Sequence, residues 1–202
     1  MKFTRKAAFN YAQLRGLQKY VKDTKGFIAG GCFKDLFLGK KLRDVDVFFQ
    51  NEDDYNEAVQ IYNHKCSRKD SKIKKIYTND NCTGYRNSKT GINIELIKSI
   101  FGTPEEIITQ FDFTIVQAVY FNPQTEEETQ FIYHPDFFEH LTLRRLVVNP
   151  DMPKAVATLN RAFKYAGYGF GLCRESKIIL TQAVIERGVV EDINGDLYFG
   201  FD

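Results

Sequence analysis

The sequence predicts an α+β fold that ends in a small helical extension. Residues 26 to 50 have the patterns of a strand, a helix and a strand in close succession. Two more strand patterns lie between residues 72 and 98, and apolar residues in the last third of the chain recur mainly at helical spacing. A chain of 202 residues can form one substantial core with a small appendage. We expect a main domain over residues 1–148 and the helical extension over residues 149–202.

The first quarter of the chain supplies a helix and then the strand, helix and strand. Apolar residues recur at near-helical spacing over residues 4–23, which predicts an amphipathic first helix. Residues 26–30 (GFIAG) predict a short buried strand, and residues 32–39 (CFKDLFLG) predict a two-turn helix that ends at a glycine. The apolar alternation of residues 43–50 (RDVDVFFQ) then predicts a strand.

The middle of the chain is expected to add a helix and two strands. Residues 51–65 have acids in their first turn and bases at their end, as a helix favours. Residues 72–79 (KIKKIYTN) and 91–98 (GINIELIK) predict strands, and the polar run CTGYRNSKTG predicts a turn between them.

A helix and a strand are predicted before residue 135, and the last third of the chain is predicted to be mostly helical. A Thr followed by Pro at 103–104 indicates the start of a helix that continues to residue 111. A strand is expected over residues 129–134. The remaining predicted helices lie within residues 135–143, 152–167 and 176–188.

The charge of the chain does not by itself indicate a nucleic-acid binder. The formal net charge is +2, whereas such proteins usually carry a strong basic excess or a clustered stripe. Lys and Arg do gather in residues 65–75 (KCSRKDSKIKK). This run is typical of a solvated edge strand that lysines protect from aggregation, or of a contact with a polyanionic substrate, and the sequence leaves both interpretations open.

The cysteines and the hydropathy pattern predict a cytoplasmic protein. The four cysteines are scattered, without a C-x-x-C pair or a histidine at zinc-ligand spacing, so we expect neither a disulfide framework nor a structural zinc ion. No apolar run is long enough to cross a bilayer, and the first residues lack the pattern of a secretion signal.

Three acidic residues are the candidate metal ligands. Residues two apart on a strand point to the same side, so Asp44 and Asp46 share one face while Val45 and Val47 enter the core. Glu95 stands on the polar face of the strand pattern at 91–98. An ordinary polar strand face also gives such a pattern. Together, however, three carboxylates on neighbouring strands suit a hard cation such as Mg²⁺.

Two glycines precede these acids in the sequence. Gly30 and Gly31 end a strand and begin a helix, where free backbone N–H groups and the helix dipole favour phosphate. A tight turn alone would also explain the pair. We expect them to approach a triphosphate.

These motifs resemble the head domain of class II poly(A) polymerases and CCA-adding enzymes, within the DNA polymerase beta-like nucleotidyltransferases. The match consists of Gly30-Gly31, Lys34-Asp35, a Leu-rich turn ending at residue 39, and Asp44-Val45-Asp46, in the order and spacing of that family. A second motif, Asp-Phe-Thr-Ile-Val-Gln-Ala at residues 112–118, is similar to the family's Arg-Asp-Phe-Thr-Ile-Asn-Ala, with Phe111 in place of the arginine.

The resemblance implies a fold and a set of roles. It implies a nucleotidyltransferase mixed sheet flanked by helices, two Mg²⁺ ions on Asp44, Asp46 and Glu95, and an NTP substrate. It further implies nucleotide-binding roles for the residues Gly30, Gly31, Lys34, Asp112, Arg161 and Lys164. The implied reaction transfers a nucleoside monophosphate to an acceptor hydroxyl, on an RNA 3′ end by analogy, or on a protein or a small molecule.

The departures from the family pattern keep a second hypothesis open. The Glu-Asp-x-x-Arg template that reads the incoming base should fall at residues 154–158, which here are Lys-Ala-Val-Ala-Thr. Phe111 replaces the arginine that begins the family's second motif, and Lys34 replaces the arginine of the Arg-Asp pair that follows the glycines. The alternative is therefore a retired enzyme that survives as a nucleotide-binding, RNA-binding or assembly protein. Residues 64, 134 and 140, the three histidines, receive no role.

Overall fold

A computed structural model of the chain describes the backbone of residues 2–121 and 129–193, and the side chains of residues 2–121 and 129–187. The fold is α+β, as predicted: a large mixed sheet flanked by helices, with a small two-stranded sheet near the helical end. The strands are β1 (Thr4–Ala7), β2 (Phe27–Ala29), β3 (Asp44–Phe48), β4 (Ile73–Thr78), β5 (Cys82–Asn87), β6 (Asn93–Ile97), β7 (Ala118–Phe121), β8 (Gln130–Tyr133), β9 (Arg145–Leu146) and β10 (Gly171–Leu172). The helices are α1 (Gln18–Val21), α2 (Cys32–Phe37), α3 (Glu52–Ser67), α4 (Pro104–Thr109), α5 (Phe137–Thr142), α6 (Ala155–Ala166) and α7 (Arg174–Ile193).

Within the described residues, the large sheet has eight strands in the order β1-β8-β7-β2-β3-β6-β5-β4. Strands β3 and β6 are parallel, and the other neighbours are antiparallel. In the parallel pair, Asp44 lies opposite Asn93 and Asp46 lies opposite Glu95. The topology therefore places on adjacent strands candidate residues that are about fifty positions apart in the sequence.

The two faces of the sheet pack against different apolar clusters. On one face, Val45, Val47, Ile94 and Leu96 are buried in the main core, which α3 covers. On the other face, α4 covers a smaller apolar cluster that includes Phe48. Because side chains alternate along a strand, the acidic residues of β3 and β6 lie on this second face, beside the part that α4 covers.

Capping residues fix where the helices beside the sheet begin. The Asn51 side chain accepts a hydrogen bond from the backbone N–H of Asp54 at 2.9 Å, at the start of α3. Thr103 and Glu106 form a capping box at the start of α4, with Pro104 at the first helical position. The sequence prediction of both starts is confirmed.

Two predicted elements are wrong. The helix predicted over residues 4–23 is instead strand β1, two short 3₁₀ turns and the single turn α1. Residues 4–7 pair with β8. The apolar residues that suggested a helix lie in the turns that follow, and their side chains are buried in the main core. The polar turn predicted after residue 81 is strand β5, whose Thr83 and Tyr85 are buried against α3 and donate or accept hydrogen bonds with Tyr55 and Asn63.

The chain after the main sheet contains helices α6 and α7. Helices α6 and α7 pack against each other, and β9 pairs with β10 in parallel. The domain boundary at residue 148 stays a prediction, and residues 194–202 of the predicted extension lie outside the described residues. None of the described helices is long and apolar enough to cross a bilayer.

Candidate active site

A row of residues across four strands forms the centre of the candidate site. Asp46 on β3 lies opposite Glu95 on β6, Glu95 lies opposite Gly84 on β5, and Gly84 lies opposite Tyr77 on β4. Residues directly opposite in a sheet share a face, so this row carries its side chains on one surface. Asp44 begins the neighbouring row, where its carboxylate accepts a hydrogen bond from Asn93 Nδ2 at 2.9 Å.

The electrostatics of the row are those of crowded carboxylates. Asp46 is partly buried, and burial, with the negative charges of Glu95 and Asp44, raises the pKa of Asp46 to about 7. Crowding of like charges always has this effect unless a cation lies among them. A positive charge among these carboxylates would therefore favour the ionised form of Asp46, which is one of the three predicted metal ligands.

Glu95 is held on its far side by two groups of β4 and β5. The Tyr77 hydroxyl donates to Glu95 Oε1 at 2.5 Å, and the Cys82 thiol lies 3.8 Å from Oε2. Burial and this hydrogen bond raise the pKa of Tyr77, so its hydroxyl stays a neutral donor. Burial and the charge of Glu95 raise the pKa of Cys82 to about 11, so that thiol is protonated as well.

The acidic residues fit Mg²⁺ in chemistry. All three offer carboxylate oxygens, which a hard cation prefers, and they share one face of neighbouring strands. They are not drawn together: across residues 2–121 and 129–193, no three His, Cys, Asp or Glu side chains are grouped closely enough to hold a metal ion. Holding one would require these carboxylates to turn toward each other.

The glycine turn lies next to Asp46. Gly30 has φ of +98°, a conformation that a side chain would strain, and a Cβ there would lie 3.8 Å from Asp46 Oδ2 and 3.6 Å from the Phe111 ring. The N–H of Gly30 donates to the Ala118 carbonyl at 3.1 Å, so it is not the free phosphate donor that the sequence suggested. Gly31 is the N-cap of α2, and a Cβ at this position would lie 3.9 Å from the Tyr165 hydroxyl.

Lys34 is turned into the protein. It is buried, its ammonium forms an ion pair with Asp35, and it lies 5.5 Å and 5.6 Å from the ring centres of Tyr165 and Tyr168. A buried lysine needs such a partner. Its charge is thus already balanced within the chain, and its role toward a nucleotide stays a prediction.

The other predicted nucleotide-binding residues lie on α6 or contact it. Asp112 is buried, and its Oδ2 accepts from Arg161 Nε at 2.5 Å, with the Arg161 side chain 41% exposed. Lys164 is exposed on the same helix. The structure thus joins Asp112 to Arg161 directly and leaves Lys164 facing solvent.

Sequence reasoning missed Tyr77, Gly84 and Cys82. The signal for Gly84 was present, since a glycine inside a strand pattern often marks a close approach by another group. It went unused because the segment that contains Cys82 and Gly84 was interpreted as a turn.

The family model for Gabija anti-defense 2 matches residues 2–144, well over half of the chain. A curated relative, Gabija anti-defense 2 of Bacillus phage SPbetaL7, is 26% identical over 192 residues, which cover 90% of this chain and 43% of the relative. The chain therefore spans less than half the length of this curated relative.

Solved structures with the same fold include CCA-adding enzymes and a tRNA nucleotidyltransferase. They include a CCA-adding enzyme with CTP (TM-score 0.66, 17% identity, 92% of this chain and 46% of that one). Another is the Thermotoga maritima CCA-adding enzyme complexed with tRNA (TM-score 0.60, 16% identity, 92% and 47%). A third is a tRNA nucleotidyltransferase with a primer tRNA and an incoming ATP analogue (TM-score 0.61, 19% identity, 83% and 48%).

At these identities the likeness shows the fold, and it confirms the nucleotidyltransferase-like head that the motifs of the sequence resemble. With this head fold and a family match over most of its length, the chain belongs to the Gabija anti-defense 2 family.

Proposed function

We propose that the chain is a metal-dependent nucleotidyltransferase that moves a nucleoside monophosphate from an NTP to an acceptor hydroxyl. The observation that carries the proposal is the register of β3 against β6, which puts Asp44, Asp46 and Glu95 on one face of the sheet. The raised pKa of Asp46 supports it, because a divalent cation would relieve that repulsion.

The residues of the chain have distinct tasks in this reaction. Asp44, Asp46 and Glu95 would supply the oxygen ligands of two Mg²⁺ ions, and the bare Gly30 turn leaves room for a triphosphate beside Asp46. When bound, the metal ions supply the positive charge that favours the ionised acceptor and the leaving pyrophosphate.

The bond changes of the transfer are simple. The acceptor oxygen loses its proton to solvent and bonds to the α-phosphorus. The bond from that phosphorus to the bridging oxygen breaks, and pyrophosphate leaves with the electron pair.

The open edge of the sheet supports a polyanionic acceptor, for which an RNA 3′ end is our proposal. A second row runs from Asp44 through Asn93 and Arg86 to Lys74. Arg86 and Lys74 are exposed, and Arg86 Nη1 lies 3.5 Å from Asn93 Oδ1. Cations on the carboxylate face would hold phosphates close to the candidate centre.

The acceptor surface can be tested with charge reversals. Lys74→Glu should weaken RNA binding several-fold and make it less dependent on salt, since one phosphate contact is lost. Lys69→Glu makes the same charge change on an exposed residue between α3 and β4, and should have a smaller effect. Equal effects of the two variants would remove this surface from the proposal. If transfer from a labelled NTP labels a protein or a small molecule and leaves RNA unlabelled, the acceptor is not RNA.

The family name extends the proposal to a biological role. The relative is a phage protein named anti-defense, and we propose that nucleotidyl transfer by this chain counters Gabija. Phage plating on cells that carry Gabija, with either the wild-type chain or Asp46→Asn, tests this link. The transfer hypothesis expects only the wild type to restore plating.

The second candidate is a catalytically inactive protein that only binds its ligand, and specific contacts favour it. Lys34 is paired with Asp35, Asp112 is paired with Arg161, and Phe111 takes the place of the arginine in the resembling family. Restored plating by a stably folded Asp46→Asn variant would support this candidate over the enzyme.

Incubation with α-labelled NTPs, Mg²⁺ and total RNA tests the chemistry itself. We expect labelled RNA and released pyrophosphate with the wild type, and a loss of at least about 100-fold with Asp46→Asn. Equal labelling by both proteins, or none by either with RNA, protein and small-molecule acceptors, would refute the enzyme.

A further inference from the structure

Strand β4 contains an irregularity that turns one tyrosine toward the carboxylates. Lys75 lies opposite Tyr85, and Tyr77 lies opposite Gly84, so Ile76 is an extra residue, a β-bulge. Tyr85 faces the α3 side of the sheet, and a regular strand would have sent Tyr77 to that side as well. The bulge instead places Tyr77 on the face of Glu95.

Gly84 makes room for the Tyr77 ring. A Cβ at Gly84 would lie 2.5 Å to 2.8 Å from three carbons of that ring, well inside any normal contact. The ring thus occupies the space that a side chain at Gly84 would need. Any larger residue would push the ring away.

The bulge and the glycine together bring the Tyr77 hydroxyl onto Glu95. The distance from the hydroxyl oxygen to Glu95 Oε1 is 2.5 Å, so one carboxylate oxygen has a fixed partner. Glu95 in turn lies opposite Asp46 in the register of β6 and β3. The bulge in β4 and the glycine in β5 thus both allow the hydrogen bond between Tyr77 and Glu95.

We propose that Tyr77 is a positioning residue, whose hydroxyl holds Glu95 Oε1 so that Oε2, which has only the weak thiol donor of Cys82 at 3.8 Å, serves a divalent metal ion held with Asp46. The inference rests on the proposed function, because it needs a cation at these carboxylates. Outer partners that fix a ligating carboxylate typically matter by 10–100-fold in metal affinity.

Binding of Mn²⁺ alone, measured by electron paramagnetic resonance of the free ion, tests the proposal without any turnover. Tyr77→Phe keeps the ring and removes the hydroxyl, and it should weaken Mn²⁺ binding about 10-fold. Gly84→Ala should act in the same direction by displacing the ring. Tyr85→Phe is the matched control, since its hydroxyl bonds to Asn63 on the opposite face, and it should leave the affinity unchanged.

A double-mutant cycle separates positioning from a general structural effect. In a Glu95→Gln background, Tyr77→Phe should have no further effect on Mn²⁺ binding, because the group through which it acts is gone. Additive losses, unchanged affinity in Tyr77→Phe, or tighter binding in that variant would overturn the inference.

The inference and the proposed function fail in different ways. Mn²⁺ binding that is abolished by Asp46→Asn but unaffected by Tyr77→Phe would overturn only the role of Tyr77. Absence of Mn²⁺ binding to the wild type would overturn both.

Discussion

Replacing Asp46 by Asn is expected to stabilise the metal-free protein at alkaline pH. Burial and the charges of Glu95 and Asp44 raise the pKa of Asp46 from 3.8 to about 7. Between these values the folded chain holds a proton that the unfolded chain has released. The free energy of unfolding of the wild type therefore falls as the pH rises from about 4 through about 7, and the whole penalty is present above that range.

The size of this penalty follows from the pKa difference. About three pKa units correspond to roughly 4 kcal/mol at 1.36 kcal/mol per unit, and the partial exposure of Asp46 reduces the expected effect to roughly 2–4 kcal/mol. Asn has a similar shape without the charge. The gain from Asp46→Asn should thus be small near pH 4 and reach roughly this value near pH 8.

Urea unfolding in the presence of EDTA, at about pH 5 and about pH 8, measures the gain. Asp70→Asn, an exposed position after α3, is the matched control and should show little change at either pH. A gain that does not depend on pH, or a loss of stability at pH 8, would refute the crowding of these carboxylates. Added Mg²⁺ should then stabilise the wild type and not Asp46→Asn.

Three further predictions concern the scaffold. Gly30→Ala should cost roughly 1–2 kcal/mol in urea unfolding, because φ of +98° disfavours a side chain, and an unchanged midpoint would contradict that strain. Asn51→Ala should cost about 1 kcal/mol through loss of the α3 cap, and a cost near zero in the same assay would contradict the capping bond. Burial lowers the pKa of His134 and of His140, so NMR should show both imidazoles titrating below about 6.5. The stability that these neutral side chains contribute should be lost as the pH falls below that value. Titration of either histidine above about 6.5 would contradict its burial.

Most of the fold could be predicted from local patterns. The alternation of Asp44, Val45, Asp46 and Val47 indicates both the strand and the face that enters the main core, because Val45 and Val47 share that face. Helices with strong caps, such as the one that begins after Thr103, were predicted closely. These signals are local, so the sequence alone carries them.

The misses have physical causes that are not local. The first residues form β1 because β8 offers its edge, a tertiary pairing that outweighs a helical spacing of apolar residues. Strand β5 contains Gly84 and several polar residues, which are typical of turns, and its place between β4 and β6 makes it a strand.

The candidate site was predicted in part. The sequence indicated Asp44, Asp46 and Glu95, and the parallel register of β3 and β6 puts them on one face. Their metal ligation stays a prediction. The burial of Lys34 against Asp35 could not be foreseen, since it depends on the rings of Tyr165 and Tyr168, which arrive from the far end of the chain.

The account depends most on a divalent cation binding among the three carboxylates. A crystal soaked with Mn²⁺ and a nonhydrolysable NTP, with data collected at the manganese absorption edge, tests this directly. We expect anomalous peaks bounded by Asp44, Asp46 and Glu95, with the triphosphate beside Gly30. Bound nucleotide without such a peak, or manganese only at other carboxylates, would contradict the account.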